Sequence, residues 1–214
     1  MELTADALLF DMDGTLVSSL ESVTRCWTRW AHEYGVTAAD FARVARHGRT
    51  AAEIVAGLVP AERVAEALQR IEDLEVGDAG DVRVLPGTRE LLASLPDSSW
   101  AVVTSSTRRL AEARLGVAGL SPSLLIAADD ITRGKPDPEP YLLAAKALGA
   151  DPARCVVFED APLGLDSGRA AGMRTVALAT THARAELVAD VVVDDLSAVS
   201  ARPRGGCVEI TAGN

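Results

Sequence analysis

An α/β fold is predicted for this 214-residue chain: a parallel sheet flanked by helices, with an all-helical segment inserted after the first strand. Three observations predict it. A short apolar run at residues 7–10, A-L-L-F, ends in two acids and a turn glycine, D-M-D-G. Residues 18–83 then place apolar side chains at helical spacing and offer no convincing strand. From residue 88 onward, short apolar runs alternate with helical patterns, the order that yields parallel strands joined by crossover helices.

Residues 7–10 are apolar throughout, as a strand buried on both faces requires. Leu20, Val23, Trp27, Trp30 and Tyr34 follow at intervals of three and four, with Gly35 as the stop. Further helices are expected over 38–46, 51–58 and 61–75. This insert of about 65 residues is large enough to pack as a small subdomain. Leu85-Pro86-Gly87 closes it, because proline and glycine punctuate the chain. The expected division is therefore a core of residues 1–17 and 84–214 and a helical cap of 18–83. Within the core, helices are expected over 88–95, 108–115, 139–148 and 163–171. Strands are expected at 100–104, 124–127, 155–158, 174–178 and 191–193, and a further strand at 207–211 in the tail.

Composition narrows the function. With 48% hydrophobic residues the chain can bury a sizeable core, and a net charge of −10 argues against a nucleic-acid or anionic-membrane partner. An acidic protein can still take a phosphorylated substrate, since a bound cation reverses the field locally. Cys26, Cys155 and Cys207 are far apart and lack C-x-x-C spacing, which reads as free thiols in a reducing compartment. No apolar run approaches membrane-spanning length and no basic-then-apolar leader opens the chain. A cytoplasmic protein is expected, as a monomer or weak dimer. Lys135 and Lys146 are the only lysines against nineteen arginines, which makes a lysine inside a motif easier to single out.

Four strand ends carry polar groups. The first carries Asp11 and Asp13, the second Thr104-Ser105-Ser106, and the fourth Glu159-Asp160. The loop before the fourth strand carries Lys135, in R-G-K-P-D-P-E-P-Y. Each has a bland reading: a helix cap for Thr104 and Ser105, a solvated loop lysine, two acidic turns. Together they favour a site, because ligands bind at the carboxyl ends of strands in open α/β sheets. Two acids one residue apart at the end of a buried strand are costly unless something positive sits there. The expected occupants are a divalent cation and an anionic substrate.

These residues resemble a known family. D-M-D-G-T-L, V-V-T-S-S, G-K-P-D-P-E-P-Y and F-E-D-A-P-L-G-L-D-S-G match, in order, the four motifs of the haloacid-dehalogenase-like hydrolases, in the phosphatase branch with a helical cap. The resemblance runs from Leu8 to about Val193. With H-G-R-T at 47–50 it is most similar to sugar- and polyol-phosphate phosphatases, including those acting on glycerol phosphate and 2-deoxyglucose 6-phosphate. It implies a Rossmann-like parallel-sheet core, Mg²⁺ as cofactor, and hydrolysis of a small phosphorylated metabolite through an aspartyl-phosphate. It implies Asp11 as nucleophile and Asp13 as general acid and base. It also implies that Thr104, Ser105 and Lys135 hold the phosphoryl oxygens. The metal would be held by Asp11, the Asp13 backbone carbonyl and Asp160, with Glu159 either a direct ligand or standing behind. In the cap, His47 and Arg49 would read the part of the substrate distal to the phosphate.

Neighbouring activities can be weighed on residues. A haloacid dehalogenase lacks the second aspartate present here as Asp13. A phosphonate hydrolase uses a cap lysine, and residues 18–83 contain none. A β-phosphoglucomutase carries a histidine ten residues after its second aspartate, where this chain has Val23. A phosphosugar isomerase of the β-phosphoglucomutase type is the alternative enzyme reading, since H-G-R-T also resembles its cap loop. From another class, a catalytically idle binding relative is disfavoured by the presence of every motif residue.

Overall fold

The structure is a computed structural model that describes residues 2–44 and 50–213. In chain order the strands are β1 (Glu2–Ala5), β2 (Ala7–Phe10), β3 (Val17–Ser18), β4 (Arg83–Val84), β5 (Trp100–Val103), β6 (Leu125–Ile126), β7 (Cys155–Glu159), β8 (Arg174–Leu178), β9 (Val191–Val193), β10 (Val199–Arg204) and β11 (Cys207–Ala212). The α-helices are α1 (Leu20–Tyr34), α2 (Ala38–Val44), α3 (Ala51–Ala56), α4 (Val64–Gly77), α5 (Thr88–Ala93), α6 (Arg108–Ala118), α7 (Glu139–Leu148) and α8 (Pro162–Ala170).

Among the described residues, β6-β5-β2-β7-β8-β9 form one six-stranded sheet in that order, parallel throughout. The four residues of β2 are all buried, and they alternate between faces as a strand's period of two dictates. Leu8 and Phe10 join Val102, Val156 and Phe158 in one apolar cluster. Ala7 and Leu9 join Ala101, Val103 and Val157 in the other. Phe10 stacks on Phe158 at 4.7 Å between ring centroids. Because β2 lies between β5 and β7, the chain leaves it toward both halves of the sheet. A crevice opens at its carboxyl end, where strand order reverses. The register sets Phe10 opposite both Val102 and Phe158, so the three strands finish level with one another.

β3 and β4 pair antiparallel, Val17 with Val84 and Ser18 with Arg83, as a two-stranded connector. Leu85 N–H donates to Leu16 O at 3.0 Å and Thr88 Oγ1 to the same carbonyl at 3.0 Å, fastening the connector to the core. The helices between β3 and β4 have an apolar cluster of their own, including Trp27, Trp30, Val55, Ala67, Ile71 and Leu74. Trp30 is fully buried, stacks on Tyr34 at 4.8 Å, and donates its indole N–H to Ala67 O at 2.8 Å. That hydrogen bond satisfies the ring's polar end inside an apolar core. The helix expected from residue 61 begins with a 3₁₀ turn, Ala61–Arg63, and continues as α4 to Gly77.

The tail is more ordered than the single strand expected at 207–211. β10 and β11 form a hairpin across Gly205 and Gly206, both at positive φ, and β1 pairs on the far side of β11. Pro203 falls on β10, an edge strand of this three-stranded antiparallel sheet, where a missing N–H is tolerated. Ala5, Val199, Val208, Ile210 and Ala212 close the first apolar cluster from below. Among the described residues, no helix is long and apolar enough to cross a membrane.

Candidate active site

Asp11 directly follows β2, and its N–H donates to Phe158 O at 2.9 Å, so sheet hydrogen bonding fixes its position. Lys135 reaches the same point from the loop between β6 and α7, with 2% of its surface exposed. Its Nζ donates to Asp11 Oδ1 at 2.7 Å, Glu159 Oε1 at 2.6 Å and Val103 O at 3.0 Å. All three donors of the ammonium are thereby used, one toward each of the strands β2, β7 and β5. Tyr141, fully buried on α7, donates its hydroxyl to Glu159 Oε1 at 2.7 Å, and its ring centroid lies 5.2 Å from the ammonium. The loop that carries Lys135 is pinned by Ser167 Oγ, which donates to Asp137 O at 2.6 Å.

Asp160 completes the acidic group. Ligand oxygens of Asp11, Glu159 and Asp160 all lie within 4.8 Å of one another, and all three residues are buried. Thr181 donates its hydroxyl to Asp160 Oδ2, and Thr180 donates its own to Gly14 O. A Cβ on Gly164 would overlap the Glu159 carboxylate, and one on Gly14 would overlap that of Asp160. Glycine at both places lets the backbone close on the acids.

The charges do not balance internally, since one lysine faces three carboxylates. Burial, then the neighbouring Glu159 charge, holds the Asp11 carboxyl well above the usual carboxylate range despite Lys135. Asp160 is pushed up to about 7, by burial first and Glu159 second. Burial acts against the Lys135 charge, but Asp11 and Glu159 outweigh it and raise its pKa, so the ammonium stays charged. Hard oxygen donors with surplus negative charge fit a divalent cation of the Mg²⁺ type.

Asp13, two residues on, faces a different set of partners. Ser19 Oγ donates to Asp13 Oδ1 at 2.6 Å, while Ser106 Oγ at 3.2 Å and Arg114 Nη1 at 2.8 Å donate to Oδ2. Thr104, buried after β5, accepts at Oγ1 from Ser106 N–H at 3.1 Å, and Ser105 lies between them, partly exposed. Asp11, Lys135, Glu159 and Asp160 thus meet directly, with Thr104 at the adjoining strand end and Asp13 beside them. His47 and Arg49 lie outside the described residues.

Reading the sequence missed Ser19, Tyr141, Thr181, Arg114 and Glu75, and gave Ser106 no role although it stood among the polar strand ends. Tyr141 and Ser106 sit inside the quoted motifs, so their signal was available. Arg114 is one arginine among nineteen on a helical face, with nothing local to mark it.

A family model described as haloacid dehalogenase-like hydrolase matches residues 5–172. The chain is 41% identical over 177 residues to hexitol phosphatase A of Escherichia coli (strain K12), covering 79% of this chain and 81% of that protein. It is 34% identical over 228 aligned positions to 2-deoxyglucose-6-phosphate phosphatase 1 of Saccharomyces cerevisiae, covering 93% and 91%. Among solved structures, a hydrolase from Pseudomonas syringae superposes with a TM-score of 0.79 at 25% identity, covering 89% of this chain and 93% of that one.

Lys135→Met removes the one cation that Asp11 and Glu159 share. Chemical denaturation at neutral pH should show a loss of about 3–5 kcal/mol, the cost of leaving buried charge unpaired. A loss under about 1 kcal/mol, the scale of an exposed ion pair, would mean the two carboxylates do not depend on the lysine.

Proposed function

Because the chain belongs to the haloacid dehalogenase-like hydrolases, we propose that it is a Mg²⁺-dependent phosphatase of small sugar and polyol phosphate monoesters, working through an aspartyl-phosphate on Asp11. The observation that carries this reading is the contact of Lys135 Nζ with both Asp11 and Glu159 at the carboxyl end of β2. It presents a carboxylate and a fixed positive charge side by side at the place where a phosphoryl group would enter. The names of the similar proteins, a hexitol phosphatase and a 2-deoxyglucose-6-phosphate phosphatase, supply the substrate class.

In this mechanism an Asp11 carboxylate oxygen attacks phosphorus, the phosphorus–oxygen bond to the leaving group breaks, and a phosphoryl-aspartate forms. Asp13 gives its proton to the departing sugar or polyol oxygen. It then takes a proton from the water that attacks the phosphoryl-aspartate, which frees Asp11 and inorganic phosphate. Splitting the reaction replaces one high barrier with two lower ones. The Thr104 hydroxyl and the Ser105 backbone N–H hold the phosphoryl oxygens, and Lys135, whose donors are taken by Asp11, Glu159 and the Val103 carbonyl, acts on those oxygens through its charge; charge stabilisation of this kind is the main source of rate in phosphoryl transfer. Asp11, Asp160 and the Asp13 carbonyl would hold the metal, which supplies positive charge against the phosphoryl oxygens. Glu159 serves the site through Lys135, since its Oε1 accepts from the ammonium and from Tyr141 and its Oε2 from the Ala161 N–H at 3.4 Å.

Residues 18–83 act as the cap that reads the leaving group, with His47 and Arg49 as the residues assigned to recognise the part distal to the phosphate. The phosphosugar-isomerase alternative needs an imidazole near position 23. Val23 packs against the apolar cluster of the helical insert and offers none. The enzyme is assigned to the cytoplasm on the same reading.

Phosphate release from hexitol, hexose and glycerol phosphates should require Mg²⁺, stop in excess chelator and resume when Mg²⁺ is restored. Full activity in chelator would overturn the metal assignment. Release from none of these esters, with conversion of β-glucose 1-phosphate to glucose 6-phosphate instead, would favour the isomerase. Arg49→Ala should lower kcat/KM on the preferred sugar or polyol phosphate by about 10- to 150-fold, as loss of a charged hydrogen bond worth about 1.5–3 kcal/mol predicts. p-Nitrophenyl phosphate, which has no distal hydroxyls, should be nearly unaffected. An equal fall on both esters would assign Arg49 to the fold of the cap.

A further inference from the structure

Arg114 is a buried cation that the mechanism above does not use. It lies on α6 with 2% of its surface exposed, and its guanidinium splits between two carboxylates from different parts of the chain. Nη1 pairs with Asp13 Oδ2 at 2.8 Å and Nη2 with Glu75 Oε1 at 2.9 Å. Nη1 also donates to Ser106 Oγ at 3.2 Å, and Ser106 Oγ in turn donates to the same Asp13 oxygen. Nε has no hydrogen-bond partner among the described residues. Burying such a group is expensive, and apolar residues of similar volume would usually fill the space as stably or better. Retaining an arginine with an unmet donor therefore calls for a reason beyond packing.

We propose that Arg114 is a positioning residue for Asp13, holding the carboxylate of the general acid between Ser19 and Ser106, with Glu75 of α4 fixing the arginine in place. This rests on the phosphatase reading and assigns residues outside its four motifs. Two features favour the assignment. The planar guanidinium satisfies Asp13 and Glu75 at once from fixed directions, which a lysine ammonium on a flexible stem does not reproduce. The helix that carries Glu75 is also locked to α6 by separate contacts. Thr107 Oγ1 donates to Glu72 Oε1 at 2.5 Å, and Arg109 Nη1 pairs with Glu72 at 3.0 Å and Asp73 at 2.6 Å. Those outer contacts seat α4 on α6, so the inner Arg114–Glu75 pair is available to orient Asp13. The seating of the helical insert is thus transmitted to the proton donor through Arg114, alongside the direct Ser19 contact.

The test compares two phosphate esters that differ in their need for a proton. The hexitol of a hexitol phosphate would leave as a strongly basic alkoxide and depends on Asp13 for a proton, whereas p-nitrophenolate leaves unprotonated. Wild-type turnover of both esters, measured alongside, tests the phosphatase reading separately. Arg114→Lys, and the double variant Arg114→Met with Glu75→Met, which removes both buried charges together, should lower kcat/KM on the hexitol phosphate by about 10- to 100-fold, part of the ~10²–10⁴-fold that general acid catalysis supplies. On p-nitrophenyl phosphate kcat/KM should stay within about threefold of wild type, because it reports transfer to Asp11 and not the later hydrolysis of the phosphoryl-aspartate, in which Asp13 serves both esters as base. Equal losses of kcat/KM on the two esters, an undiminished kcat/KM on the hexitol phosphate, or failure of both variants to fold would each show that Arg114 serves the structure and not Asp13.

Discussion

One ammonium group joins three strands of the sheet. Lys135 Nζ bonds to Asp11 after β2, Glu159 at the end of β7 and the Val103 carbonyl at the end of β5. Two opposite charges about 4 Å apart attract by about 4 kcal/mol at the effective dielectric of partly buried pairs. An exposed pair such as Arg133–Glu139 is screened by water and contributes far less. The buried pairs therefore set the site, and the many surface ion pairs decorate it. The lysine still leaves the acids in excess, and that excess is what a divalent metal ion would neutralise before an anionic phosphoryl group enters. Asp11 and Asp160 are raised by burial and mutual repulsion, so the same crowding that destabilises them prepares a place for positive charge.

The sheet explains why these groups meet. Strand register brings β2, β5 and β7 to an end at one level, and reversal of strand order around β2 leaves a crevice there. Residues separated by more than a hundred positions then lie within hydrogen-bond distance. The helical insert contributes differently. It has its own apolar cluster and joins the core through β3 and β4, but α4 also bears on α6 through Glu72, Asp73 and Glu75. The acidic site lies at the sheet, and Asp13 lies where the sheet and the insert meet.

Much of this is legible in the sequence because buried parallel strands are uniform apolar runs. A-L-L-F, W-A-V-V and C-V-V-F could be read as strands from composition alone, and the polar residue after each marked the crevice side. The tail was harder. β1 is E-L-T-A, too short and mixed to stand out, and β10 contains Pro203, which argues against a strand unless its edge position is known. The Gly205-Gly206 pair was the available hairpin signal. Tertiary contacts without a local signature stayed hidden. Ser19 and Glu75 look like ordinary helix-flanking and helix-surface residues until folding brings them to Asp13 and Arg114.

In the proposed mechanism Asp11 carries the phosphoryl group during turnover. Rapid acid quenching of the enzyme with a hexitol phosphate, followed by borohydride reduction and peptide mass analysis, reads this directly. Reduction of an acyl phosphate converts the aspartate to homoserine, so homoserine at position 11, dependent on substrate and absent at Asp13, is the predicted result. Steady turnover with unmodified aspartate at position 11, or with homoserine at another acid, would contradict it.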